Sequence, residues 1–334
     1  MVSAVIFVAT SCVSPLTGFA FWETNLAYEG ESIYNYLQVK NLSDRTILST
    51  NVLFGVQSVT MKDKGLTGMY YDTALAAPAL ADNANSALIL GMGTGTYAHQ
   101  LKQYYPKMNI TGVEIDQKIT DLAGEYFDEP ADIPVTTYDG RAWLAASHDK
   151  YDVIMVDAYQ DITIPFQMSS TEFFTMVREH LNPGGVMVVN MNMISDGQGS
   201  INEALSDTIA SVFGNGNTLT ADVPNTTNRE LFAKKPGSGS EENSMQQASK
   251  ALNLRETTYE RTGSEDLEWY MEEVASRFRK VNEPDSASTI LTDDKAPVEV
   301  LGMHAIDQII ADEAGPYRQI LKDEGFGGLL RAVQ

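Results

Sequence analysis

From Ala87 to Lys235, short uninterrupted apolar runs alternate with longer segments whose apolar residues recur at helical spacing. The runs Ala87–Leu90 and Ile110–Val113, and the segment YDVIMVDAYQDITIP at 151–165, read as buried strands, with a helix expected over Tyr97–Tyr105. Further on, the pattern predicts a helix over Thr171–Leu181, a turn at Asn182-Pro183-Gly184-Gly185 and a strand over Val186–Met191. A helix over Ile201–Phe213 follows, then two late strands, Thr218–Val223 and Glu230–Ala233. Such alternation predicts a parallel sheet with helices on both faces. No crossover helix separates the two late strands, so an antiparallel hairpin is expected to close one edge.

Upstream, the segments YNYLQV, RTILS and VQSVTM between Tyr34 and Met61 are short, rich in β-branched and aromatic residues, and parted by the turn formers NLSD and STN. They predict a small antiparallel sheet. Downstream, PGSGSEENS at 236–244 reads as a surface loop, Glu260–Lys280 as an exposed helix, and LTDDKAPVEVL at 291–301 as a turn running into an apolar segment. The expected organisation is an apolar segment at 1–22, a small β domain at 30–66, a main α/β domain at 67–235, and a loop and helical region at 236–334.

The first 22 residues carry no charge and are mostly apolar. That length suffices to cross a bilayer, although Ser11, Ser14, Pro15 and Thr17 weaken the segment, and no basic stretch precedes it as in a secretory signal. Three readings stay open: a membrane anchor, a buried or oligomer-forming arm, and a poor signal peptide.

Composition is that of an ordinary globular protein, 43% hydrophobic and 20% charged, but the formal net charge of -22 is not. It argues against nucleic acid and anionic membrane surfaces and suits a small cationic substrate, while solubility alone is an equally good reason for it. The single cysteine, Cys12, excludes an intrachain disulfide, and His99, His148, His180 and His304 lack ligand spacing, so no metal site is expected.

The candidate chemistry lies in four ordered segments: ALILGMGTGT at 87–96, TGVEID at 111–116, TTYDG at 136–140, and the strand at 151–165. Each reads as the C-terminal end of a buried parallel strand followed by a loop, and three place a carboxylate there. Gly91, Gly93 and Gly95 let the backbone turn tightly and approach a ligand. Glu114 follows roughly 20 residues later, where an acidic side chain accepts hydrogen bonds from both ribose hydroxyls. Together they point to an adenosyl or dinucleotide site, the plainer alternative being glycines that serve only helix–strand packing. The whole pattern is that of a class I S-adenosylmethionine-dependent transferase, a Rossmann-like doubly wound sheet with a small N-terminal antiparallel β domain.

Residue by residue, the chain resembles the spermidine synthase family of polyamine aminopropyltransferases, in particular the branch often fused to membrane segments. The likeness covers roughly Ser32 to Ala233 and returns at LTDDKAPVEVL. The family's glycine loop matches Gly91–Gly95, its strand-end glutamate Glu114, its Asp-Gly pair Asp139-Gly140, and its catalytic aspartate Asp157. Its upstream tyrosines and proline resemble Tyr70, Tyr71 and Pro78, and its sulfur-site glutamine resembles Gln57.

The resemblance implies a donor, decarboxylated S-adenosylmethionine, and a small amine acceptor. Asp157 would act as the base, with Tyr159 and Tyr71 beside it; Asp161 and Tyr70 would position the acceptor. Glu114 would fix the ribose and Asp139 the adenine amino group. The family also implies a homodimer, and the donor implies a cytoplasmic catalytic domain. Two departures bear on the substrates. Thr94 stands where the family has an aspartate at the donor's amino end, which leaves intact S-adenosylmethionine open as the donor; Asp157-Ala158-Tyr159-Gln160-Asp161 replaces the family's acceptor loop. A methyltransferase on the same scaffold and a non-catalytic adenosyl-binding domain are therefore the alternatives, and a helix-capping or turn aspartate is the plain alternative for Asp157.

Overall fold

The structure is a computed structural model. It describes residue 20, residues 23–305 apart from 52–54, 129, 131, 159–163, 193–196, 198, 238–253 and 286–287, and residue 322. The apolar stretch at 1–22, on which the expectation of an anchor rests, lies outside the described residues but for Ala20. Among the described residues, no helix is long and apolar enough to cross a membrane.

The chain first forms a four-stranded antiparallel sheet in sequence order: β1 (Leu26–Glu31), β2 (Tyr36–Asn41), β3 (Arg45–Thr50) and β4 (Ser58–Met61). Leu37, Val39 and Leu48 point to one face and are buried there with Ile119, Leu122 and Phe127, while Gln38 and Ser49 on the other face are buried too. β1 escapes the sequence pattern because LAYEGE carries two glutamates and a glycine, and it begins the sheet ahead of residue 30.

Two short helices, α1 (Tyr70–Ala74) and α2 (Ala76–Leu80), lead into the large sheet. Its first half runs β5 (Ser86–Leu90), α3 (Thr96–Tyr104), β6 (Asn109–Glu114), α4 (Gln117–Tyr126), β7 (Val135–Thr137), α5 (Gly140–Ala146) and β8 (Tyr151–Val156). Then come α6 (Thr171–His180), β9 (Leu181–Met191), α7 (Ile201–Phe213), β10 (Thr218–Asp222), β11 (Arg229–Lys234), α8 (Leu254–Thr262), α9 (Glu265–Ser276) and β12 (Arg279–Lys280). The strand order is β12-β10-β11-β9-β8-β5-β6-β7. Strands β5 to β9 are parallel, and β10, β11 and β12 continue antiparallel, which is the expected edge hairpin with one further strand outside it.

Alternation along the central strands sends side chains into two cores. Ala87, Ile89, Val153, Met155, Val186, Val188 and Phe232 enter the core beneath α1, α2, α3 and α9. Leu88, Leu90, Ile154, Val156, Met187, Val189 and Leu231 enter the core beneath α5, α6 and α7. Phe173 and Phe174 of α6 are fully buried there, each contributing roughly 1.5–3 kcal/mol by leaving water.

Two expectations need correction. Asn182-Pro183-Gly184-Gly185 is not a separate turn: Leu181 already pairs with Tyr151, and the register then shifts, so these residues form an irregularity within β9. Nor is Glu260–Lys280 one exposed helix. It spans two helices, and Leu267, Met271 and Val274 of α9 recur on one face and pack into the first core.

The reversal of strand order falls between β5 and β8. Sheets of this kind bind ligands in the crevice outside the carboxyl ends of the strands at that point.

Candidate active site

The glycine loop leaves the end of β5 and is held against β6 by Gly91 N–H and Met92 N–H, which donate to the Val113 carbonyl at 2.9 and 3.0 Å. Gly91 has φ +90°, and a Cβ there would collide with the Asp157 carbonyl oxygen. Only glycine lets the β5 and β8 strand ends approach so closely. At the loop's end Gly95, φ +85°, starts α3.

Glu114, at the end of β6, is buried and joins the loop to its own strand end. Gly93 N–H donates to one carboxylate oxygen at 2.8 Å and Asp116 N–H to the other at 2.9 Å. Burial pushes its pKa up to about 7 against the pull of these backbone donors. Asp116 in turn caps α4 through Lys118 N–H and accepts from Ser32 Oγ at 2.5 Å and Asn35 Nδ2 at 3.1 Å. The β1–β2 turn is thereby tied to the strand end, which brings Tyr34 and Asn35 to the mouth of the cleft.

Asp157 follows β8, its N–H bonded to the Leu90 carbonyl at 2.9 Å. Tyr70 Oη donates to one of its oxygens at 2.7 Å and Asn190 Nδ2 to the other at 2.9 Å. Burial lifts its pKa to about 7, and the two donors pull it back. Both oxygens are thus occupied by side chains, which is not the arrangement of a capping aspartate. The cap is Asp139, which accepts from Ala142 N–H at 2.8 Å and starts α5.

These groups line one cleft of about 1040 Å³, open mouth included. Gln57, Tyr70, Tyr71, Gly91, Gly93, Glu114, Asp139, Gly140 and Asp157 all face it. Thr94 and Gly95 do not: Thr94 is fully buried in the turn, its hydroxyl without a partner among the described residues. The two tyrosines differ in what they touch. Tyr70, expected to serve the acceptor, bonds Asp157, whereas Tyr71 donates to the Gln57 carbonyl at 2.7 Å and stacks on Tyr70 at 4.0 Å between ring centroids. Tyr159 and Asp161 lie outside the described residues.

Sequence reasoning missed Asn35, Tyr138, Gln167 and Asn190. Asn190 had a signal, a lone amide in the apolar run of β9. The others sit in loops whose approach to the cleft is set by tertiary contacts. Among the described residues, no group of three or more His, Cys, Asp or Glu side chains is placed to hold a metal ion.

The model of the spermine/spermidine synthase domain matches residues 69–235, from α1 to the end of β11. A probable polyamine aminopropyl transferase of Bifidobacterium longum is 99% identical over 334 residues, all of this chain and 75% of that protein. The chain belongs to the spermine/spermidine synthase family. As a member it is a transferase, and its small β sheet and doubly wound sheet are those of the family. A polyamine aminopropyltransferase of Vibrio vulnificus is 28% identical over 209 residues, 60% of this chain and 69% of that one. Among solved structures, a probable spermidine synthase from Corynebacterium glutamicum superposes with a TM-score of 0.55 at 20% identity, covering 80% of this chain and 99% of that one; the likeness is one of fold.

Proposed function

We propose that this chain transfers an aminopropyl group from decarboxylated S-adenosylmethionine to a small cationic amine. The observation that supports it best is the placement of Asp157: a half-buried carboxylate at the strand-order reversal, inside the family-matched segment, held by Tyr70 and Asn190 and poised near neutrality. In this reading the glycine loop and Glu114 receive the nucleoside, with the ribose beside Glu114 and the adenine near Asp139. The sulfonium makes its adjacent carbon electrophilic. The amine lone pair forms the new C–N bond, the C–S bond breaks, and its electron pair stays on sulfur, leaving neutral methylthioadenosine.

The acceptor arrives as an ammonium and reacts only as the free amine. Asp157, with a pKa near that of the working pH, takes the proton and keeps the nitrogen oriented. The net charge of -22 favours the approach of a cation. The test is incubation of the purified chain with decarboxylated donor and a panel of amines: methylthioadenosine and an aminopropylated amine should appear in equal amounts, and release of neither would overturn the reading. Family kinship supports a homodimer, which sedimentation would test. The apolar composition of 1–22 supports an anchor, which would show as a detergent requirement.

A further inference from the structure

Glu230 sits within β11, opposite Ala221 of β10 on one side and Asn190 of β9 on the other. Its face follows from alternation: Leu231 enters the core under α6 and α7, Phe232 the core under α1, and Glu230 shares the face of Phe232. Val156 pairs with Val189, so one position further on Asp157 lies beside Asn190, and Glu230 lies across from Asn190. Three polar residues therefore form a row on adjacent strands, on one face of the sheet, running from the nucleoside half of the cleft toward β11.

The end of that row is unusual. Glu230 is 0% exposed, and neither carboxylate oxygen has a hydrogen-bond partner among the described residues. Asn190, its cross-strand neighbour, directs its amide nitrogen to Asp157 and its oxygen to Asn228 Nδ2 at 2.8 Å. Tyr97, which senses the charge of Glu230 from α3, gives its hydroxyl to the Ala74 carbonyl at 3.0 Å. The charged group acting on Glu230 is Asp157, a second anion, and with burial it holds the Glu230 carboxyl well above the usual range. With no donor of its own, such a buried acid stays protonated with its polar oxygens unpaired, a cost to the fold that a cation joining it would relieve.

We propose that Glu230 is a specificity-determining residue of the acceptor site, holding the acceptor's second ammonium while Asp157 receives the attacking amine. The identity of the attacking end rests on the aminopropyl-transfer reading. Adjacent strands lie about 4.8 Å apart, so two steps separate the Asp157 and Glu230 backbones by about 10 Å. With a charge-assisted contact at each end, that span suits a linear diamine of roughly four to six carbons. Tyr70 and Asp157 line the cleft, whereas Glu230 lies behind them, fully buried and off its wall, so the second ammonium would reach it only beyond Asp157.

The test is calorimetric binding of 1,4-diaminobutane and 1-aminobutane to the full chain, with and without methylthioadenosine. The unsubstituted protein should bind the diamine roughly 10- to 100-fold more tightly. Glu230→Gln should abolish that preference and leave methylthioadenosine affinity unchanged; Glu230→Asp should restore part of it. Glu230→Leu, which also removes the buried acid, should behave as Glu230→Gln does if the glutamine variant folds poorly. A diamine preference that survives in either variant, or is missing from the unsubstituted protein, overturns the proposal. Glu230-dependent diamine binding without release of methylthioadenosine from the decarboxylated donor would instead overturn the reaction and leave Glu230's role standing.

Discussion

Replacing Asp157 with asparagine should remove activity and, above neutral pH, make the protein more stable. The folded carboxyl ionises only above about pH 7, against an ordinary value of 3.8. Between those values the unfolded chain holds fewer protons, so stability falls as pH rises through that window. At about 1.4 kcal/mol per unit, the full shift is worth about 4 kcal/mol. Asp157 is partly open to the cleft, and solvent screening reduces the recoverable part to about 2 kcal/mol. For a chain of 334 residues that is a rise in Tm of about 3 °C. Asparagine keeps an oxygen for the Tyr70 hydroxyl, but its amide nitrogen faces Asn190 Nδ2, which offsets part of the gain at every pH and leaves the difference between pH 4 and pH 8 as the diagnostic quantity. Urea denaturation at pH 4, 5.5 and 8 is the assay: the variant's advantage should be near zero at pH 4 and largest at pH 8. An advantage independent of pH, or a variant less stable at pH 8, would refute the assignment of a carboxylate raised by desolvation, whatever happened to turnover.

Tyr70→Phe removes a donor that favours the ionised form of Asp157, so the acidic limb of kcat/KM should move to higher pH by about one unit relative to the unsubstituted enzyme with the same amine. A limb that stayed in place would detach Tyr70 from the base. Glu114→Gln leaves one of two loop N–H groups facing an amide, and methylthioadenosine affinity by calorimetry should fall roughly 10- to 100-fold; unchanged affinity would mean that Glu114 holds only the backbone. Gly91→Ala and Gly124→Ala should differ in sign. The first meets the Asp157 carbonyl at φ +90° and should lose at least about 2 kcal/mol, whereas the second lies in α4 with nothing within 4 Å and should gain about 0.5–1 kcal/mol in urea titrations.

What the sequence made legible is what depends on backbone conformation and strand ends. Gly91 and Gly95 were readable because their positive φ admits few other residues, and Glu114 and Asp157 because a carboxylate closing an apolar run is conspicuous. β1 was hidden by its charges, and the bulge in β9 by residues that more often make turns. The buried stripe of α9 was hidden because three apolar side chains among many charges look like a solvated helix. The partners of Asp157 were a harder matter. Tyr70 reaches it across 87 positions and Asn190 across 33, and no local pattern encodes those distances. Thr94 shows the converse. Its departure from the family pattern was plain, yet its side chain is buried away from the cleft lining, a placement that only the folded turn sets. Glu230 read as one residue of an edge strand until the register set it opposite Asn190.

The most direct test offers the enzyme decarboxylated and intact S-adenosylmethionine together, with a diamine, and follows both nucleoside products by chromatography. Methylthioadenosine should be the dominant product and should be lost in Asp157→Asn. S-adenosylhomocysteine formed from the intact donor, or methylthioadenosine release unaffected by Asp157→Asn, would contradict aminopropyl transfer through Asp157.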